Sequence, residues 1–272
     1  MIFHRDKQLG FTLIELAVVL VIVGLLAGSF IGSLASRIET TRRDNAMKKL
    51  EEIKLAIFGF AVTNGRIPCP AVAAGGGQEQ PVGGGVCVTL HGFVPGRTLG
   101  LDGSYNRDNL LVDSWGNPFR YSVTDSNANA FTTAPGGGGS IQEVAAAAVN
   151  GLAVLSPNIV ICDGDSTSPT ACVGANTLID AAVFTILSLG KDGSTFVNTV
   201  APNSDQGENA SELAVAANAA GENLAYTVGN NRVFVSKSYS ETGSTAGQFD
   251  DLIVWASQYA LYSNMMEAGK LP

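Results

Sequence analysis

The chain has 272 residues, with 16 basic against 24 acidic side chains and a formal net charge of −8. That balance, without a basic tract or basic residues interleaved with aromatics, excludes nucleic acid as a general partner. Only 15% of residues are charged while 32 are glycine, a composition common in exported, β-rich bacterial surface proteins, and the length allows one or two domains with a sizeable core.

The first element is an apolar run from Phe11 to Ala35 in which Glu15 is the lone ionisable side chain. As a helix this run is roughly 37 Å long, enough to span a bilayer with some tilt. A carboxylate at that depth costs roughly 2.5–3.5 kcal/mol, which implies a function and a positive partner. The run contains no such partner. Cleavage after Gly10 would create one, the α-amino group of Phe11, and a neighbouring copy shifted by about 6 Å along the axis could set its amine against Glu15. A polar leader ending in Gly10, followed by Phe11-Thr12-Leu13-Ile14-Glu15-Leu16 and a long apolar helix, resembles the amino terminus of type IV pilins and type II secretion pseudopilins. The resemblance implies a leader at 1–10, cleavage by a prepilin peptidase, methylation of the Phe11 amine and assembly into a helical filament with other subunits. It further implies dependence on an inner-membrane assembly platform, with residues 11–35 as membrane span and filament core and the C-terminal domain outside. A standard secretory signal is the alternative reading, with a mature chain beginning near Ser36.

Gly24, Gly28 and Gly32 recur every four residues and form a stripe that permits close helix packing. Glycine also weakens a helix, and the resemblance places local melting in this stretch. From Arg37 the pattern turns amphipathic, with Ala46, Leu50, Ile53, Ile57 and Phe60 at spacings of three and four. One helix over 11–62 is therefore expected, its second part (36–62) laid on a globular domain of residues 63–272 and stopped by Asn64-Gly65.

Cys69, Cys87, Cys162 and Cys172 fall into two local groups, which reads as two disulfides in an oxidising compartment. Three connectivities are possible, and the sequential one is favoured. No CxxC spacing supports zinc. Gly75-Gly76-Gly77 and Gly83-Gly84-Gly85 read as flexible surface loops, since neither sits in a phosphate-binding motif.

Downstream, Phe119–Thr124, Ala182–Leu187 and Leu252–Ala256 read as strands, and Leu224–Val228 with Arg232–Lys237 as a hairpin around Gly229-Asn230-Asn231. Ile141–Val149 and Ser211–Ala220 read as helices. The expected fold class is α+β, a long N-terminal helix packed on an antiparallel sheet, which is also the pilin plan.

Asp113-Ser114-Trp115-Gly116-Asn117-Pro118 is similar to a turn that enters the sheet of type II secretion pseudopilins. Ser188-Leu189-Gly190-Lys191-Asp192-Gly193, with the later Asp251-Leu252-Ile253-Val254-Trp255, is similar to their calcium loop. The resemblance implies calcium held by the Leu189 carbonyl, Asp192 and Asp251, with Asp250 beside them. More than fifty residues separate the two halves here, and a plain β-turn with a solvated acidic pair is the competing account. Asp163 begins an EF-hand-like run, but its twelfth position is Gly174 in place of glutamate, so that match fails.

No GxSxG or HExxH motif occurs, and His91, read as a loop residue, is the sole imidazole after Gly10. A structural filament subunit is the expected function, with a tip-displayed adhesin on the same scaffold, or a secreted binding domain, as alternatives.

Overall fold

The computed structural model describes residues 12–164, 171–172, 176–193, 205–210, 232–240 and 248–271; the side chains of 27–35, 208 and 210 lie outside that description. Two compact units divide between Asp44 and Asn45.

Helix α1 covers Leu13–Asn64. In the second unit its face Ala46, Leu50, Ile53, Ile57, Phe58 and Ala61 is buried in the main core. The spacing matches the helical period, so one stripe enters the core and Glu51, Glu52 and Leu55 stay in solvent. Burying each large side chain contributes roughly 1.5–3 kcal/mol relative to exposure. Phe58 meets Phe184 edge-on at 5.8 Å between ring centroids, and Tyr121 meets the same ring at 5.9 Å. Gly65 takes φ +72° and donates its N–H to the Ala61 carbonyl, which ends the helix as a left-handed cap.

The sheet is built from β1 (His91–Phe93), β2 (Arg120–Val123), β3 (Ile159–Cys162), β4 (Thr177–Ser188), β5 (Val233–Val235) and β6 (Leu252–Ser257). Its order is β1-β2-β4-β3-β5, with β6 on β4. Residues 184–187 of β4 pair with β2 and with β6, so those two strands flank it, and β3 takes its first half. All pairings are antiparallel except β3 with β5. Small helical elements fill the connections: α2 (Ser126–Asn129), α3 (Ile141–Ala147), a 3-10 turn (Gly151–Val154), α4 (Asp205–Ala210) and α5 (Gln258–Glu267). Together they make a mixed α+β, pilin-like architecture, a long helix followed by a curled, mainly antiparallel sheet.

The expected strand at 182–187 begins earlier, at Thr177, and its first residues are largely exposed. Arg232–Lys237 narrows to β5, whose described neighbour is the parallel strand β3 in place of a hairpin partner. The other hairpin arm and the helix expected at 211–220 lie outside the described residues. His91 belongs to β1 and is buried against Phe234, with Nδ1 2.9 Å from the Ser122 hydroxyl, so it is not a loop residue.

The glycine loops are packed rather than loose. A Cβ on Gly77 would lie 2.0 Å from the Asn109 carbonyl oxygen, and one on Gly84 would strike Thr132 and the Arg66 guanidinium at 2.4–2.5 Å. Both residues have positive φ, so glycine serves here for close approach. Beneath them Arg66 donates to both oxygens of Glu79, at 2.7 and 2.8 Å. Glu79 also accepts from the N–H groups of Cys69 and Gly83. Cys69 is bonded to Cys87, and Cys162 to Cys172.

Candidate functional site

Two places concentrate chemistry, and each is described within its own unit. In the first, α1 opens on a reciprocal cap. Thr12 donates its N–H and hydroxyl to Glu15 Oε2 at 3.0 Å, and Glu15 returns its N–H to the Thr12 hydroxyl at 3.3 Å. This is the capping box that Thr-x-x-Glu encodes, a local role for Glu15 at the start of the helix. Beyond it, consecutive side chains from Val18 to Val23 are exposed, so the helix is apolar on every face. A helix of that kind is stable only against lipid or other apolar helices. Gly24 has open space around it. Gly28 and Gly32 lie in helical backbone, but their surroundings, like Gly10 and Phe11 altogether, fall outside the description. Among the described residues no helix is long and apolar enough to cross a membrane.

In the second unit, the turn at 113–117 is bolted to the end of β4. Asp113 Oδ1 accepts the N–H groups of Trp115 and Asn117 at 2.9 Å, and its Oδ2 accepts the Ser188 hydroxyl at 2.5 Å. Burial pushes the Asp113 carboxyl up from its ordinary range, opposed by these hydrogen bonds. The Asn117 amide donates to the Gly190 carbonyl at 2.7 Å, which fixes the start of the 190–193 loop.

That loop meets the entry to β6 at a pair of carboxylates. Lys191 donates its N–H to Asp250 Oδ2 at 2.7 Å, and Gly190, at φ +65°, leaves room for Asp250 that a Cβ would fill at 2.6 Å. The Asp192 carboxyl is hydrogen-bonded to that of Asp250 and is pushed up to about 7, first by burial and then by Asp250. Gln206 of α4 donates its amide to Asp250 Oδ1 at 2.5 Å and to Asp192 Oδ2 at 3.4 Å. Gln248 donates to Asp192 Oδ2 at 2.9 Å. Every one of these donors is neutral.

Asp251 takes a different hydrogen-bond partner. Its Oδ2 accepts the Asn209 amide at 2.8 Å, while Asn209 also bridges to the N–H and carbonyl of Val235. Burial pushes the Asp251 carboxyl well up, and its Oδ1 has no hydrogen-bond partner among the described residues. The Leu189 side chain is buried in an apolar cluster. The structure thus joins Asp192 with Asp250 and turns Asp251 to another neighbour. Among the described residues no three His, Cys, Asp or Glu side chains gather where they could hold a metal.

Comparison with known proteins bears on both places. Residues 5–31 match the prokaryotic N-terminal methylation motif. The chain is 29% identical over 118 residues to the type II secretion system core protein G of Pseudomonas aeruginosa, covering 43% of this chain and 75% of that protein. It is 27% identical over 117 residues to the protein of the same name from Aeromonas hydrophila, covering 43% and 74%. No solved structure gives a significant match. The chain is thus similar to type II secretion pseudopilins and carries a prokaryotic N-terminal methylation motif. More than half of this pseudopilin-like chain lies outside the part matched in either relative.

Calcium, which the resemblance to type II secretion pseudopilins implies, can be tested against the donors present. Hard cations take six to eight oxygens at 2.3–2.6 Å from carboxylates, carbonyls and amides. The Asp192–Asp250 pair supplies two carboxylates of that kind, while Lys191 and the two flanking carboxamides turn N–H donors toward it. Asp251 is bonded through Oδ2 to Asn209, and its Oδ1 has no hydrogen-bond partner among the described residues. Gln206 and Gln248 were not legible as site residues, because neither stands in a motif.

Proposed function

We propose that this protein is a structural subunit of a type II secretion pseudopilus or type IV pilus, processed after Gly10 and assembled through its N-terminal helix. The observation that carries this reading is the apolar surface of α1 on all faces, opened by Glu15 within the methylation motif. Residues 11–35 anchor the precursor in the inner membrane with the globular domain outside, and in the filament the same surface is covered by neighbouring helices. Glu15 keeps its helix-capping bonds on Oε2 and offers Oε1 to the methylated amine of Phe11 on another subunit. Gly24, Gly28 and Gly32 give the helix its capacity to pack closely or melt during assembly. The role is structural, and the extent of chain beyond the matched part favours a minor or specialised subunit.

Asp192 and Asp250, with the Leu189 carbonyl, hold a calcium ion that ties the end of β4 to the start of β6. When bound, the ion neutralises two carboxylates that otherwise oppose each other. The test of the assembly reading is Glu15→Ala: the variant is processed and retained in the membrane but absent from sheared filaments. Normal incorporation of that variant would contradict it.

A further inference from the structure

We propose that the disulfide-closed loop carrying Val82, Val86 and Val88 is a contact surface for a second copy of this chain in the filament, so that copies of this specialised subunit adjoin one another. This rests on the filament reading above and deepens it, because that reading assigns assembly to the N-terminal helix alone.

The loop sets apolar side chains in solvent on a backbone that is held in place. Val82, Val86 and Val88 are 69%, 71% and 67% exposed. Their main chain is pinned at several points. Cys87 is bonded to Cys69, and both belong to the main core. Gly85 donates its N–H to the Thr132 carbonyl at 2.9 Å, and its own carbonyl accepts the Thr132 hydroxyl at 2.8 Å. Val88 donates its N–H to the Gln80 carbonyl at 3.1 Å, and Gly83 donates to Glu79 at 3.2 Å. On a pinned loop, apolar side chains stay in water until another surface covers them. The loop is already ordered, so a partner gains that burial without the entropy of ordering it.

Charge and area select the occupant. The chain carries a net charge of −8, so two copies repel over most of their surface. From Gln80 to Gly96 there is no Asp, Glu, Lys or Arg, so two acidic chains can touch here without opposing charges. Three valines exposed to this degree offer roughly 300 Å², against about 800 Å² per partner in a standard stable interface. That is too little to capture a partner free in solution. It suffices for a copy that α1 already holds nearby, where the effective concentration is high. The loop also follows directly on that helix, since Arg66, just past its end, lies over the Phe60 ring and beneath Gly84. In a helical filament the covering surface on the next copy is a different one, so the contact repeats without closing.

The test follows the full chain in cells that assemble the filament. Val86→Asp and Val88→Asp are each processed and retained in the membrane, and each lowers the amount in sheared filaments by about tenfold, the factor that loss of one buried valine contact gives. Their urea unfolding matches that of the parent chain, because neither side chain is packed within the fold. Val149→Asp, at an even more exposed valine on another turn, incorporates normally. A photoreactive benzoylphenylalanine in place of Val86, irradiated in intact filaments, links the chain to a second copy of itself, and Glu15→Ala abolishes the link. Normal incorporation of both aspartate variants, an equal loss in Val149→Asp, or a link to a different protein would overturn this inference and leave the helix-based reading standing. A wild-type chain absent from filaments would overturn both.

Discussion

Arg66–Glu79, a buried pair, and Asp192–Asp250, half-buried at Asp192, contrast two ways of placing carboxylates in the globular unit. The first joins opposite charges at 2.7 Å, with main-chain N–H groups completing Glu79. The second joins like charges, eased by one main-chain N–H and two carboxamides. The first pair is held by opposite charge, whereas the second brings two carboxyl groups together against their mutual repulsion. Each lies among close-packed glycines, so glycine content alone does not distinguish them.

The largest effect that breaks this contrast is expected at the first pair. Glu79→Ala leaves Arg66 charged and buried, and should cost about 3–5 kcal/mol of unfolding free energy by urea titration. Opening the adjacent Cys69–Cys87 link, 18 residues apart, by Cys69→Ser with Cys87→Ser should cost about 3 kcal/mol in the same assay. Asp192→Asn should act with the opposite sign. In chelator it removes a like-charge contact and stabilises by about 1 kcal/mol, discounted for solvent screening, while it eliminates any stabilisation by calcium.

The smallest effect sharpens the contrast with an exposed carboxylate. Glu143 closes the capping box of α3 with Ser140, and the bonds it accepts from Ser140 lower it to about 2. A lowered acid stabilises the fold above its ordinary value near 4.5, and that contribution is lost as pH falls toward about 2. Glu143→Gln should flatten the melting temperature of the protein across this pH window.

Much of the fold was legible because it follows period and punctuation. The three-and-four spacing from Ala46 to Phe60 marked the core face of α1, though Phe60 itself lies only half-buried, and Gly65 marked its end. The strand cores of β2, β4 and β6 showed as β-branched and aromatic runs. β3 was not anticipated: Ile159-Val160-Ile161 sits between Pro157-Asn158 and Asp163-Gly164, but so short an apolar run has no distinctive period. β1 owes its existence to pairing with β2, and nothing local announces it. α5 begins at Ser257, whose hydroxyl accepts the Ala260 N–H, a start signal that directly abuts a strand.

The sites divide in the same way. Glu15 stood out because its cost is local to one apolar run. The joining of Asp192 to Asp250 was reachable through resemblance alone, and the bond of Asp251 to Asn209 was not legible. Arg66–Glu79 and the two glutamines depend on chain segments meeting in space, which no spacing in the sequence encodes.

The claim on which the account rests is that this chain is a processed filament subunit. Mass spectrometry of the intact protein purified from membranes measures it most directly. The account predicts a mature chain that begins at Phe11 with a methylated amine. A chain that begins near Ser36, or one that retains residues 1–10, would contradict it.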